Sequence, residues 1–220
     1  MQLVCVMLVI ATAGISQAAV TVNTLGTSPQ KAGGISGIAS TGATMAGMNV
    51  TFNTTDTQVW GDVGSGNYGV AGTGWSLSVP SASDTYIAST DWTLNVTSMT
   101  SLLIDAGTGN TVFDALNGST GTPDSSDGRP FASAFVTSLP GAWVVDYYGP
   151  VSVTPNAAVG DLYRYMLITP DASFTGELTF QADTDSATTA VTPVVPAPAA
   201  MLLAGIGSGV VSFFRRRQWV

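Results

Sequence analysis

Histidine is absent from all 220 residues, and cysteine occurs once, at Cys5. The first absence removes Ser-His-Asp triads, Cys-His dyads and histidine-ligated metals together. The second leaves no disulfide and no thiolate metal cluster. Bases are nearly as scarce: Lys and Arg number six against fourteen acids, and Arg215, Arg216 and Arg217 account for half of them. Between residues 19 and 195 only Lys31, Arg129 and Arg164 stand against all fourteen acids, a net charge of −11. Such a surface repels phosphate backbones, so nucleic acid is a poor partner. Also missing are a G-x-S-x-G nucleophile elbow and a G-x-x-x-x-G-K-[ST] phosphate loop. The expectation is a protein that is not an enzyme.

What is present is Gly, Thr, Ser and Ala, with only 9% of residues charged, a usage nearer to extracellular β-proteins than to cytosolic enzymes. Period-two alternation recurs in residues 48–52, 75–79, 92–96, 131–137, 143–148, 162–168 and 178–181, each reading as a strand. Gly-rich clusters at residues 61–67 and 117–124 supply the turns between them. Short strands without amphipathic helices predict an all-β fold, an antiparallel β-sandwich of jelly-roll-like form rather than a barrel. Residues 162–168 and 178–181 flank Pro170 and Asp171 and predict a terminal hairpin, with residues 183–186 leaving it for a linker. The small-residue stretch 31–47 is expected to add least to the core.

Both ends are hydrophobic. Residues 3–15 are almost wholly apolar, and Ser16-Gln17-Ala18 then places small side chains where a signal peptidase reads, predicting cleavage between Ala18 and Ala19. Only four residues precede Cys5, too few for a lipoprotein signal. At the other end, Val194 to Phe214 is a 21-residue stretch without a charge. As a helix it spans about 31 Å, enough to cross a bilayer, with Arg215, Arg216 and Arg217 held on the cytoplasmic side. At its entry Val195-Pro196-Ala197-Pro198 stays extended, because prolines flanking one residue cannot continue a helix.

Proline pair, Leu/Gly-rich helix and terminal arginine cluster together resemble the PEP-CTERM sorting signal handled by exosortases, over residues 196–220, with Ala197 where the name-giving form has Glu. The resemblance implies that an exosortase-like membrane transpeptidase reads Pro196, Pro198, the helix and the arginines after signal peptidase has acted. It also implies display at the cell surface or release into an extracellular matrix, with exopolysaccharide as a partner. The expected organisation is a signal peptide (1–18), a β-sandwich ectodomain (19–185), a linker (186–195) and the sorting and anchoring segment (196–220).

Calcium is the better chemical candidate in such a chain, since oxygen ligands need only Asp, Asn and carbonyls held by Gly-containing turns. Two segments qualify: residues 105–110, with Asp105, Asn110 and nearby Asp114, and residues 124–128, with Asp124 and Asp127. The alternative function is a surface carbohydrate-binding module: Trp60, Tyr68, Trp75, Trp92, Trp143, Tyr147 and Tyr148 are the candidate stacking residues, Trp60 and Tyr68 foremost because they border Gly-rich turns, although in a sandwich most of them read more simply as core or strand-edge packing. Glu177, the lone glutamate, is the natural half of a glycosidase carboxylate pair, but the sequence selects no second member.

Overall fold

The computed structural model describes residues 19–37, 40–87, 90–116, 125, 128–131 and 141–194. Along the chain run β1 (Ala19–Leu25), β2 (Gln30–Ala32), β3 (Ile35–Gly37), β4 (Asn49–Phe52), β5 (Asp56–Val59), β6 (Gly61–Gly64), β7 (Asn67–Gly72) and β8 (Trp75–Pro80). They are followed by β9 (Trp92–Met99), β10 (Leu102–Asp105), a 3₁₀ turn (Ala106–Gly109), β11 (Thr111–Asp114), β12 (Ala142–Val153), β13 (Leu162–Pro170), β14 (Phe174–Phe180), β15 (Asp183–Ala187) and β16 (Thr192–Pro193).

Two sheets result. The smaller has the order β14-β9-β8-β7-β6. The larger runs β16-β2-β12-β13-β10-β4-β5, with β1 on β12 and a branch of β11, β15 and β3 leaving β13. Inward and outward residues alternate, most regularly in β8 and along all twelve residues of β12, because successive side chains of a strand point to opposite faces. Trp75, Leu77, Leu94 and Phe180 of the smaller sheet and Val50, Ile104, Trp143, Tyr147 and Ile168 of the larger meet in one apolar cluster. A second, smaller cluster of Ala32, Val112, Val151, Leu162 and Val191 lies under the branch.

Six of the seven predicted strands fall on β4, β8, β9, β12, β13 and β14, and residues 132–137 of the other lie outside the described residues. Three expectations about how the strands connect change. The predicted terminal hairpin is a crossover: β13 belongs to the larger sheet and β14 pairs with β9 in the smaller, so both strands face the same core from opposite sides. Four consecutive strands, β6 to β9, lie side by side as a meander, whereas a jelly roll sends successive strands to alternate sheets. The segment predicted as a linker is folded: β15 pairs with β11 and β3, Val191 is buried, and β16 pairs with β2. Ala187 and Val191 anchor it to the second apolar cluster, while Thr188, Thr189 and Thr192 stay exposed.

Sheet pairing is antiparallel except on one edge of β12, where β1 pairs in parallel with its first half and β2 with its last three residues. The opposite edge of the neighbouring strand is divided in the same way: β10 and β11 lie end to end along β13, separated by the 3₁₀ turn. Stretch 31–47 contributes more than expected, because Met45 and Ala32 are buried. In the Gly-rich segment 61–67, Ser65 and Gly66 both take positive φ, the requirement of a two-residue hairpin turn, and join β6 to β7.

Candidate functional site

The branch of the larger sheet brings acids together. In the β11/β15 pair Asp114 lies directly opposite Asp183, and Asp185 is two residues further along the same strand. Asp161 precedes β13, which flanks β11 on its other side. All four aspartates are buried, at 1% exposure or less. Carboxylates taken out of water in this way need hydrogen bonds or a counter-charge.

Ser125, also buried, stands at the centre. Its hydroxyl oxygen is 2.8 Å from Asp114 Oδ2 and also hydrogen-bonds Asp185 Oδ2. A hydroxyl carries one hydrogen, so it can donate to only one of the two. The other contact needs a proton on the carboxyl group, or a cation in its place. Asp183 Oδ1 accepts from Thr85 Oγ1 at 3.1 Å and from its neighbour Thr184 N at 2.8 Å. Asp183 Oδ2 has no hydrogen-bond partner. Gly128 closes the site tightly, since a Cβ there would come within 2.0 Å of Asp114 Oδ1.

Burial, then repulsion from Asp185 and Asp114, pushes the Asp183 carboxyl up to about 8. Burial likewise pushes Asp185 up to about 7, the Ser125 hydrogen bond opposing and Asp114, Asp161 and Asp84 reinforcing. Tyr147, whose hydroxyl accepts from Phe131 N at 2.9 Å, is held protonated by burial and by the nearby charges of Asp183 and Asp114. At neutral pH the cluster therefore retains protons that solvent-exposed aspartates would have lost.

The residues singled out in the sequence divide among several places. Asp105 is committed to Arg164, whose Nε and Nη2 reach its two oxygens at 2.7 and 2.8 Å, and it also caps the 3₁₀ turn through Gly107 N. Asn110 ends that turn in the left-handed conformation, its backbone N–H bonding Ala106 and Gly107. At this turn the Asp105 carboxylate is thus taken up by an arginine fork and a turn cap. Asp124 and Asp127 lie outside the described residues, although Ser125 and Gly128 of the same segment reach the aspartate cluster. Asp183, Asp185 and Asp161 were not legible as site residues, because only the strand pairing brings them to Asp114.

The aromatic candidates are mostly core residues, as the simpler reading of a sandwich had them. Trp60, Trp75, Trp92, Trp143 and Tyr147 are all buried between the sheets, where Trp92 stacks on Phe180 and Phe113 meets Tyr147 edge-on. Tyr68 and Tyr148 are half-buried, and Tyr148 stacks on Tyr165. Glu177 lies on the outer face of the smaller sheet, opposite Asn95, in a shallow hollow also lined by Ser76, Thr97, Thr175 and Gly176. Among the described residues it is the only ionisable one lining that hollow, so they offer it no second carboxylate there.

Ala19 opens β1, opposite Ala142, while Ala18 lies outside the described residues. So do Val195, Pro196, Ala197, Pro198, Arg215, Arg216 and Arg217. Among the described residues no helix is long and apolar enough to cross a membrane. No protein-family model, no curated protein and no solved structure matches the chain.

Proposed function

We propose that this chain is a non-enzymatic exported protein of the cell envelope or extracellular matrix, sorted and processed through its C-terminal segment. In this reading it is a two-sheet β-sandwich carried on one C-terminal transmembrane helix. The observation that carries the proposal is the tail itself: Pro196 and Pro198, an uncharged helix-length run, then Arg215, Arg216 and Arg217.

Among the described residues β1 runs from Ala19, and removing residues 1–18 leaves every one of its β12 partners in the mature chain. The last described residues are tied to the domain, through β16 on β2 and Val194 N donating to Pro29 O. Cutting within the proline segment leaves the described hydrogen-bond pairs intact, as a sorting enzyme requires of its cargo.

The test is the intact mass of the surface or released product from a host with a working exosortase and from one without. Loss of the helix and arginines only in the competent host is expected, and it should fail when Arg215, Arg216 and Arg217 are all changed to Gln. The same full-length C-terminus in both hosts would make the tail a plain anchor and end the sorting reading.

A further inference from the structure

We propose that Asp114, Asp183, Asp185 and Ser125 form a buried binding site for a divalent oxygen-seeking cation, calcium being the one it fits. The site takes Asp114 and Ser125 from the two segments that the sequence suggested and adds Asp183 and Asp185, which only the strand pairing brings to them, and it stands whether or not the tail is a sorting signal. Two carboxylate oxygens, from Asp114 and Asp185, converge on the one hydroxyl of Ser125, which can satisfy only one of them as a donor. Independently, Asp183 Oδ2 is unbonded in a residue only 1% exposed, across the strand pair from Asp114. A native fold rarely leaves a buried carboxylate oxygen without a partner unless a water or an ion takes that place.

Among the described residues no three acidic, histidine or cysteine side chains already stand at the spacing of a closed metal shell. Two carboxylates meet at a hydroxyl, and Asp183, across the strand pair from Asp114, has one buried oxygen left over for an ion. Calcium suits this, because it accepts carboxylate, hydroxyl, carbonyl and water oxygens in flexible geometry at about 2.3–2.6 Å. Magnesium, demanding near-ideal octahedral geometry, suits it less.

The competitor is the proton. Asp183 faces Asp185, Asp114 and the Tyr147 phenol, and Asp185 faces Asp114, Asp161 and Asp84. Arg129 reaches Tyr86 O and Gln181 Oε1, while Arg164 is held by Asp105. A divalent ion relieves the repulsion among the carboxylates and releases the protons that otherwise do so, so affinity must rise with pH.

The experiment is thermal melting of the full-length protein, stripped of metal, with and without millimolar calcium at pH 5 and pH 8. Calcium should raise the melting temperature by about 5 °C at pH 8 and leave it unchanged at pH 5. Terbium, a calcium mimic, should luminesce when the nearby Tyr147 is excited. Asp183→Asn and Asp185→Asn imitate the protonated carboxyl and should fold yet lose the calcium response, whereas Asp105→Asn should keep it. No shift in the wild type at pH 8, or a shift retained when Asp183 and Asp185 are both Asn, overturns the site. Should those variants fold poorly, proton release by the wild type on calcium addition at pH 7 decides: uptake without release places the ion elsewhere.

Discussion

Trp92 illustrates how a residue that invites a surface role can belong to the core. Its indole touches Trp60, Phe113 and Phe180, at centroid distances of 5.3, 6.4 and 5.7 Å, and its N–H donates to Ala182 O at 3.0 Å. Offset ring packing and a satisfied N–H allow so large a side chain to be fully buried. Trp92→Ala should therefore cost about 3–5 kcal/mol, read from the shift in the urea midpoint at unchanged slope. A loss below about 1 kcal/mol would mean that the aromatic cluster is not the centre of the core. Arg164 makes the complementary point for polar residues. Its guanidinium clasps Asp105, lies 4.9 Å from the Tyr165 ring centroid and donates to Gln30 Oε1 and Val191 O, tying the 3₁₀ turn to the chain leading into β16.

At the scale of elements, the last strands are the decisive ones. Ala187 of β15 and Val191, just before β16, are buried in the second apolar cluster, and the two strands supply partners to β11, β3 and β2. A chain ending at Val194 should melt within about 2 °C of one that continues, whereas a chain ending at Asp185 should lose several kcal/mol or fail to fold. Equal melting of the two would return residues 186–194 to the status of a linker. This is also where sequence reasoning stopped. Strands such as β8 and β12 were legible because they are buried on one face only, and burial on alternate residues writes itself into the order of side chains. β15 carries Asp183, Thr184 and Asp185 buried in succession, and a polar run of that kind reads as solvated. Its buried state depends on partners from β11 and residue 125, which no local pattern announces. The hairpin that became a crossover failed for a related reason: alternation tells which face of a strand is buried, not which sheet it joins.

Across the whole molecule, the acid cluster sets the response to pH. Asp183 and Asp185 have folded values of about 8 and 7 against an ordinary value of 3.8, so between about pH 4 and 8 the native state holds more protons than the unfolded one. Stability therefore falls as pH rises through that window in the absence of a bound cation. The metal-free protein should show a lower urea midpoint at pH 8 than at pH 5, and Asp183→Asn should flatten the difference. A midpoint that rises toward pH 8 would show that the cluster is already ionised at pH 5. The parallel edge of β12 has a different kind of consequence, one of time. Ala19 to Leu25 pair with residues 142–148, so the first strand has no partner until more than a hundred further residues exist. A chain emerging N-terminus first, from a ribosome or a translocation pore, cannot complete its larger sheet along the way, and such high contact order slows closure. The leading segment is thereby kept extended and threadable until nearly the whole domain has arrived, after which both edges of β12 can zip at once.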